Sequence, residues 1–300
     1  MSTRSQQLRS EYLGEGTSSE LKIAAFEIRD LIEPSRIFQA SILAKLQGLG
    51  SGNQFRNFNR CGQEKIYRTC KNCSGSEVFE YHCNIKWCPR CNWRITRDRS
   101  QILQAWTKHI HQPKHIVLTQ KNFPVLTRRK IREHQKNLAR LRRNKIWKNV
   151  KGGSVSVEIT NDGKGWHLHS HWLVDCRWID AGELAKIWGG LCGQEFGIVK
   201  VKDSRDTEYL HEVSKYVCKP SELAKWTGEE IWEFISAIRG LRFFFAFGSL
   251  FKLGSQIRSE MRAKKPPQKA CECGCRDFIF RDEVSEVLNE IRQTGKRRKK

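Results

Sequence analysis

The sequence predicts an α+β protein with a small cysteine-rich module, and three observations lead to this prediction. Residues 155–160 and 166–174 alternate apolar with polar side chains on either side of a turn-forming segment, which indicates a β-hairpin. Residues 126–151 and 207–219 have the apolar spacing or the uninterrupted composition of helices. Cysteines cluster in a polar stretch at residues 61–91, which indicates a separate module.

The chain divides into four predicted regions of different composition. The first holds six basic and six acidic side chains, so the whole net charge comes from residues 56–300. Within it, residues 19–29 and 35–49 have helical patterns. The predicted regions are a helical or disordered N-terminal extension (1–55), the cysteine-rich module (56–105), the main domain with the hairpin (106–260) and a basic, cysteine-containing C-terminal tail (261–300).

The composition predicts a soluble chain with a polyanionic partner. The 300 residues include 55 Lys and Arg against 32 Asp and Glu, a formal net charge of +23, which favours binding to nucleic acid. Hydrophobic residues make up 38% of the chain, too many for a wholly disordered polycation. No run approaches the ~18 apolar residues of a membrane span, and no secretory signal is visible. We therefore expect a cytoplasmic protein that has no membrane partner.

The first cysteine cluster has the spacing of a zinc site. Two CxxC motifs, at residues 70–73 and 88–91, are separated by fourteen residues, as in a zinc ribbon. Reduced cytoplasmic thiols favour metal binding over disulfides, and six cysteines could serve two ions. Three further residues compete for coordination positions: Cys61, His82 and Cys83. We predict structural Zn²⁺ bound within the set Cys70, Cys73, Cys83, Cys88 and Cys91.

A second cysteine cluster lies in the predicted tail, where Cys271, Cys273 and Cys275 alternate with Glu and Gly. It supplies three sulfur ligands and has no obvious fourth ligand nearby. Two interpretations stay open for it. It could complete a metal site with a cysteine of the first cluster, or it could belong to a flexible tail with reduced thiols.

The strongest concentration of positive charge lies at residues 126–151, where eleven Lys and Arg stand against one acid, Glu133. Leu138, Leu141 and Trp147 punctuate this segment at near-helical spacing, which indicates an amphipathic helix with a cationic outer face. One acid leaves few intrahelical ion pairs, so we expect this face to contact phosphates. The predicted DNA-binding residues are Arg94, Arg128, Arg129, Lys130, Arg140, Arg142 and Arg143.

Three histidines alternate along the second strand of the predicted hairpin. His167, His169 and His171 project to one side of a strand at steps of about 7 Å, so neighbours can converge on one cation. Glu158 on the partner strand adds a carboxylate. Imidazole nitrogens next to a phosphate suit Mn²⁺, Mg²⁺ or another divalent ion that polarises a phosphoryl oxygen. We predict a catalytic divalent metal bound by these four residues.

A glutamate and a tyrosine lie four residues apart in the predicted helix 207–219, and therefore on one helix face. The tyrosine, Tyr216, has a phenol with an ordinary pKa of about 10, so as a nucleophile it needs a cationic or metal-rich setting. Glu212 could activate a water molecule or accept a proton. Lys215 and Lys219, also four apart, could offset charge at a phosphate. These four residues are the predicted catalytic residues.

These motifs together resemble the rolling-circle replication initiators of the HUH endonuclease superfamily, and most of all the plasmid initiators that pair one tyrosine with a glutamate. The sequence from His169 to Leu173 is similar to the family's metal motif, in which two histidines flank a bulky apolar residue. Ser170 departs from that pattern, whereas His167-Leu-His169 satisfies it literally, so both registers stay open. The position of Trp166 and Leu173 favours His169 and His171.

Three further segments carry the resemblance. Residues 116–122 are similar to the family's first strand motif, residues 212–219 to its catalytic motif, and the cysteine segment 83–94 to the segment that precedes its nuclease domain. The resemblance implies, for residues 106–260, a central antiparallel sheet that carries the histidines at its centre between flanking helices.

The resemblance also implies the activity of a sequence-specific DNA nicking-and-joining endonuclease. Tyr216 would attack a phosphate polarised by the histidine-bound cation, leaving a 5′-phosphotyrosine and a 3′-hydroxyl that a polymerase extends, and Glu212 would activate water to end the round. The substrate would be single-stranded or hairpin origin DNA, with a host helicase and DNA polymerase as partners, because the chain has no GxxxxGK[ST] loop. A rolling-circle transposase with the same chemistry and a non-catalytic zinc-containing DNA-binding regulator are the alternatives.

Overall fold

The computed structural model describes residues 36–49, 53–73, 75–203, 213–214, 217–263 and 271–282. Its helices are α1 (36–45), α2 (Asn53–Arg60), α3 (Pro89–Thr107), α4 (Arg128–Leu141), α5 (Ala181–Leu191), α6 (Pro220–Leu223), α7 (Gly228–Ile238) and α8 (Gly248–Ala263). Its strands are β1 (Lys65–Cys70), β2 (Ser76–Glu80), β3 (Pro113–Thr119), β4 (Gly152–Asn161), β5 (Trp166–Asp175), β6 (Ile198–Asp203), β7 (Phe244–Phe247) and β8 (Phe278–Asp282). No described helix is both long and apolar enough to cross a membrane.

The larger sheet is antiparallel and has the strand order β6-β3-β5-β4-β7. The predicted hairpin is confirmed as β4 and β5, paired from Gly152↔Asp175 to Asn161↔Trp166. Gly165 closes the turn with a φ of 93°, and a Cβ there would lie 2.8 Å from the carbonyl oxygen of Phe123. With β5 at its centre and helices against it, the sheet confirms the predicted α+β class.

The two faces of this sheet pack against different helices. On one face, the Trp172 ring contacts Trp147 at 5.1 Å and Phe247 at 6.0 Å between centroids. On the other face, Leu173 packs in a buried cluster with apolar residues of α3 and α8, among them Trp106 and Leu250. Because side chains alternate along β5, this second face also carries the three histidines. We call it the histidine face.

A second, three-stranded sheet has the order β2-β1-β8, and its last strand comes from the region predicted as a C-terminal tail. β8 pairs antiparallel with β1 from Ile66↔Asp282 to Cys70↔Phe278. The guanidinium of Arg68 lies 4.0 Å from the centroid of the Phe278 ring. Residues 271–282 therefore belong to the cysteine-rich module rather than to a flexible tail.

The end of the predicted N-terminal extension folds onto the rest of the protein. The helix predicted at residues 35–49 is confirmed in part, because α1 covers residues 36–45 and a turn follows at 46–49. The Gln39 amide donates to the carbonyl oxygens of Phe58 and Cys61 at 2.9 and 3.0 Å. The Lys45 ammonium donates to the carbonyl oxygen of Trp226 at 2.8 Å. Residues 1–35, including the helical pattern at 19–29, lie outside the described residues.

The basic helix is confirmed in part, because it is shorter than residues 126–151. The Thr127 hydroxyl caps its N-terminus by accepting from the Lys130 amide at 3.2 Å. The helix ends at Leu141, and the Asn144 side chain then accepts from the Ile146 amide and starts a 3₁₀ turn. This break lets the Trp147 ring turn inward onto Trp172 of the sheet.

Candidate functional site

The histidine face has a buried, hydrogen-bonded pair of a glutamate and a histidine at its centre. Glu158 on β4 pairs with His169 across the strands, yet its carboxylate reaches diagonally to His171, where Oε2 accepts from Nε2 at 3.1 Å. Both residues are only 7% exposed. The other ring nitrogen of His171, Nδ1, is buried and has no hydrogen-bond partner among the described residues. A buried imidazole nitrogen of this kind can accept a hydrogen bond from a donor or bind a metal ion.

His169 stands between two threonine hydroxyls. Its Nδ1 lies 3.4 Å from Thr119 Oγ1 and its Nε2 lies 3.3 Å from Thr160 Oγ1. The ring centroids of His167 and His169 are 3.9 Å apart, and those of His169 and His171 are 6.2 Å apart. Burial lowers the pKa of His167 below its ordinary value, which favours the neutral imidazole that binds metals. The three predicted histidines therefore lie together on one face.

A fourth histidine that the sequence interpretation missed also lies on this face. His115 on β3 pairs with Leu173 of β5, so the two side chains point to the same side of the sheet. Its ring stacks on that of His171 with centroids 5.7 Å apart and an interplanar angle of 15°. The signal was present only in the register of β3 against β5, because His115 is distant from the other histidines in sequence.

The histidines and Glu158 do not form a closed coordination sphere. Among the described residues, the groups of three or more ligand atoms within 4.8 Å of one another consist only of cysteines. A divalent ion at the predicted pair His169 and His171 would need these rings to rotate toward each other, because their centroids are 6.2 Å apart. The residue types and the buried Nδ1 of His171 fit a metal, whereas the side-chain geometry is open.

The predicted catalytic residues Tyr216, Glu212 and Lys215 lie outside the described residues. Val213 and Val217, which are close to them in sequence, are described and lie against the hairpin of β4 and β5. The carbonyl oxygen of Val217 accepts from the amide of Ile159, the residue after Glu158, at 2.8 Å. Val213 is fully buried in the cluster on the histidine face. Lys219 is exposed and caps the N-terminus of α6.

Cys218 gives a second sign that this segment lies close to the buried carboxylate. Burial raises the pKa of its thiol well above the ordinary value, and the negative charge of Glu158 raises it further. Cys218 is 2% exposed, so it stays a protonated packing residue. The chain on the C-terminal side of Tyr216 is therefore anchored beside Glu158.

The first cysteine group has the geometry of a four-sulfur metal site. Its members are Cys61, Cys83, Cys88 and Cys91, whose sulfur atoms all lie within 4.8 Å of one another. Three measured sulfur–sulfur distances are 3.5, 3.6 and 3.8 Å. A tetrahedral site with metal–sulfur bonds of about 2.3 Å has edges of about 3.8 Å, whereas a disulfide would need about 2.05 Å. These four thiols could hold a zinc-like metal ion.

Hydrogen bonds among the four thiols of this group shift their pKa values in opposite directions. The pKa of Cys61 is lowered to about 5, because the thiols of Cys83 and then Cys88 donate to its sulfur. The pKa values of Cys83 and Cys88 are raised above their ordinary value for the same reason, since each is held as a donor. The pKa of His82 is raised to about 9 by its contact with Cys61. A bound cation would let all four sulfurs ionise.

The second cysteine group departs from the zinc-ribbon pairing and agrees with the open alternative in which the C-terminal cysteines share a site with cysteines of the first cluster. The CxxC motif at residues 70–73 does not share a site with the motif at 88–91, because its sulfurs meet those of Cys271 and Cys273 instead. Pairing of β8 with β1 brings the C-terminal cysteines there. Cys275 stays outside the group, with its sulfur 3.3 Å from the amide nitrogen of Asp277. Two separate groups therefore replace the single predicted set.

Three of the predicted DNA-binding residues of α4, namely Arg128, Arg129 and Arg140, line an open surface depression of about 580 Å³, which we call the α4 groove. Its lining residues are Arg128, Arg129, Arg132, Glu133, Lys136, Asn137 and Arg140. Two of the other predicted residues make contacts within the protein. Lys130 lies 5.0 Å from the ring of Phe123 and Arg142 lies 5.1 Å from the ring of Phe247. Arg143 is exposed, and Arg94 donates to the side chain of Asn84.

The α4 groove and the histidine face lie on opposite sides of the larger sheet. Arg142, at the end of α4, contacts Phe247, and Phe247 contacts Trp172 on the face away from the histidines. The 3₁₀ turn after α4 also contacts that face through Trp147. The structure therefore does not bring the predicted phosphate-binding helix and the predicted metal-binding histidines onto one surface.

No protein-family model, curated protein or solved structure matches this chain.

Proposed function

We propose that the protein is a metal-dependent DNA nicking-and-joining endonuclease of the HUH type, acting as a rolling-circle replication initiator. One observation carries the proposal. Glu158 and His171 form a buried pair on the hairpin at the centre of an antiparallel sheet, and Val217, next to Tyr216, is hydrogen-bonded to the same strand at Ile159. A nucleophile at Tyr216 and a metal ion on the neighbouring hairpin would meet the basic requirement of this chemistry.

The proposed site uses the residues of the histidine face as follows. His169 and His171 would hold a divalent cation such as Mn²⁺ or Mg²⁺, with Glu158 orienting His171 through Nε2 and leaving Nδ1 available. When bound, the cation withdraws electron density from the scissile phosphate. His167 flanks the pair beside His169, and His115 flanks it beside His171.

The proposed reaction is a transesterification at Tyr216. The phenol oxygen attacks phosphorus, the bond from phosphorus to the 3′-oxygen breaks, and the protein becomes linked to the 5′ end of the downstream strand. The phenol proton passes to solvent or a neighbouring base, and the departing 3′-oxygen takes up a proton. Because one phosphodiester replaces another, rejoining needs no ATP. Glu212 would activate the water molecule or hydroxyl that ends the round.

The basic α4 groove and the proposed catalytic site on the histidine face suggest two separate contacts with DNA. The strand to be cleaved would lie on the histidine face, whereas the α4 groove on the other side of the sheet would bind the phosphates of an adjoining duplex. A transposase would use the same contacts on transposon ends, and it remains the nearest alternative.

A non-catalytic DNA-binding regulator is a second candidate, and one observation favours it. The histidine rings and Glu158 do not converge on a common point among the described residues, while two cysteine groups do. Such a regulator would keep the α4 groove and the cysteine sites and would show no covalent chemistry.

Covalent capture of DNA tests the proposed function. The full chain is incubated with Mn²⁺ and a pool of 3′-labelled single-stranded hairpin oligonucleotides, and the product is separated under denaturing conditions. We expect a labelled protein adduct that Tyr216→Phe abolishes and that Tyr209→Phe, in the same segment, retains. An adduct that persists in Tyr216→Phe would assign the nucleophile elsewhere. Absence of an adduct from the unaltered protein would favour the non-catalytic regulator.

A further inference from the structure

We infer that the group Cys70, Cys73, Cys271 and Cys273 binds a zinc ion that fastens the C-terminal segment 271–282 to β1, and that this ion exchanges faster than one at the first group. The inference does not depend on the proposed nuclease activity. It rests on the sulfur geometry, on the incomplete burial of Phe278 and Ile279 in β8 and on the different exposure of the two groups.

The sulfur positions favour a shared metal ion over disulfides. Cys73 and Cys271 have sulfurs 3.2 Å apart, Cys70 and Cys273 have sulfurs 3.6 Å apart, and all four lie within 4.8 Å of one another. These separations approach the ~3.8 Å edge of a tetrahedral zinc–thiolate site and exceed a disulfide bond of about 2.05 Å. Four thiolates without other donors are the ligand set of structural zinc.

The two described apolar side chains of β8 bury little surface against β1. Phe278 is only partly buried and Ile279 is 41% exposed. The ion pair between Lys71 and Asp277, at 2.8 Å, has both side chains largely in solvent and therefore contributes little. Holding together segments that are about 200 residues apart in sequence costs chain entropy, and a metal ion bound by both segments offsets that cost.

The two cysteine groups differ in their access to solvent. In the first group, Cys61, Cys88 and Cys91 are buried within the main hydrophobic core. In the second group, Cys73 and Cys273 are exposed. A chelator can replace protein sulfurs one at a time only where it reaches the ion, so the second group should lose its metal first. Loss of that ion would free β8 while the core and the histidine face stay folded.

Zinc content and hydrogen exchange of two matched variants test this inference. Cys273→Ser removes a sulfur of the group, whereas Cys275→Ser changes a neighbouring cysteine whose sulfur lies outside it. We expect two zinc ions per chain in the unaltered protein and in Cys275→Ser, and one in Cys273→Ser, because the described part of the chain forms two such cysteine groups. Amide protection should be lost in β1 and β8 of Cys273→Ser and retained in α3.

Stepwise chelation of the unaltered protein is a second test, and misfolding of a variant cannot affect it because no variant is used. With the chromophoric chelator 4-(2-pyridylazo)resorcinol, we expect zinc release in two phases, and loss of β8 protection in step with the fast phase. Three results would overturn the inference: one zinc ion per chain in the unaltered protein, equal zinc loss in Cys273→Ser and Cys275→Ser, or a β8 that stays protected after the fast phase. Release of both ions in a single phase would overturn the difference in exchange rate.

Discussion

His171 Nε2 lies 3.1 Å from Glu158 Oε2, and this pair spans the two strands diagonally rather than directly. Directly across from His171 is Ser156, a small side chain, and directly across from Glu158 is His169. The small Ser156 leaves room for the Glu158 carboxylate to lean toward His171. The diagonal contact fixes one imidazole and leaves the ring of His169 between two threonine hydroxyls.

The first prediction concerns the charge of Glu158. Glu158→Gln keeps a hydrogen-bonding side chain of the same size but removes the negative charge that supports His171 as a ligand. Partners of metal ligands typically contribute about 10–100-fold in affinity or activity, and we expect a loss of that size in the rate of adduct formation at limiting Mn²⁺. Raising the Mn²⁺ concentration should restore much of the rate.

Glu195→Gln, at an exposed glutamate on the segment between α5 and β6, is the matched control and should leave the rate unchanged. If Glu158→Gln formed the adduct as fast as the unaltered protein at every Mn²⁺ concentration, Glu158 would have no role in metal binding.

The second prediction settles which histidines form the metal pair. Because His171 has the buried carboxylate partner, we expect His169→Ala and His171→Ala to lower the rate of adduct formation by more than about a hundredfold, beyond the range typical of supporting residues. His167→Ala should lower it by less than about tenfold. Single-turnover rates with the same oligonucleotide pool measure this. The opposite ranking of His167 and His171 would move the pair to His167 and His169.

The hairpin and its histidine row could be predicted from sequence because both depend on residues close together in the chain. Alternation along one strand determines the face on which each side chain lies. The turn at Gly165 determines how the two strands on either side of it, β4 and β5, pair. The stack of His171 on His115 could not be predicted in this way. It depends on the register of β3 against β5, which no local pattern specifies.

The cysteine sites show the same limit at longer range. The CxxC motifs predicted cysteine groups that could hold a zinc-like metal, and the structure has such groups. The zinc-ribbon spacing, however, paired residues 70–73 with 88–91 because they are near each other in the chain. The structure pairs 70–73 with Cys271 and Cys273, because β8 adds to the edge of β1. Pairing between segments this far apart depends on the whole fold and leaves no periodic signal in either segment.

The third prediction concerns the α4 groove. Arg129→Gln, Arg132→Gln and Lys136→Gln each remove an exposed positive charge from its lining. Each should weaken binding to duplex DNA irrespective of sequence and reduce the salt slope of log K by roughly one unit. Adduct formation on a short single strand should change by less than about twofold, because the groove lies on the other side of the sheet from the histidines and would make only phosphate contacts that do not depend on sequence.

Fluorescence anisotropy over a range of salt concentrations measures the duplex affinity. Lys225→Gln, an exposed lysine that is paired with Glu222, serves as the control and should leave the salt slope unchanged. An equal loss of duplex binding and of single-strand cleavage would mean that one DNA path joins the two surfaces.

The last prediction follows from His134, which is buried in α4 on the side away from the histidine face. Its Nδ1 lies 3.2 Å from Gln120 Oε1 and its ring stands edge-on to Trp188 with centroids 5.5 Å apart. Burial lowers its pKa to about 3, so the folded protein keeps it neutral while the unfolded chain takes up a proton below about pH 6.5. The unfolded state then binds more protons than the folded state, and stability falls as the pH falls from 6.5 toward 3. At 1.36 kcal/mol per pH unit, the loss in the free energy of unfolding between pH 6.5 and 4.5 is about 2–3 kcal/mol.

His134→Gln can donate to Gln120 without titrating, so in urea unfolding it should make the free energy of unfolding less dependent on pH over this range. His109→Gln, at an exposed position, should not have this effect. Equal pH slopes in the unaltered protein and in His134→Gln would mean that other groups cause the acid sensitivity.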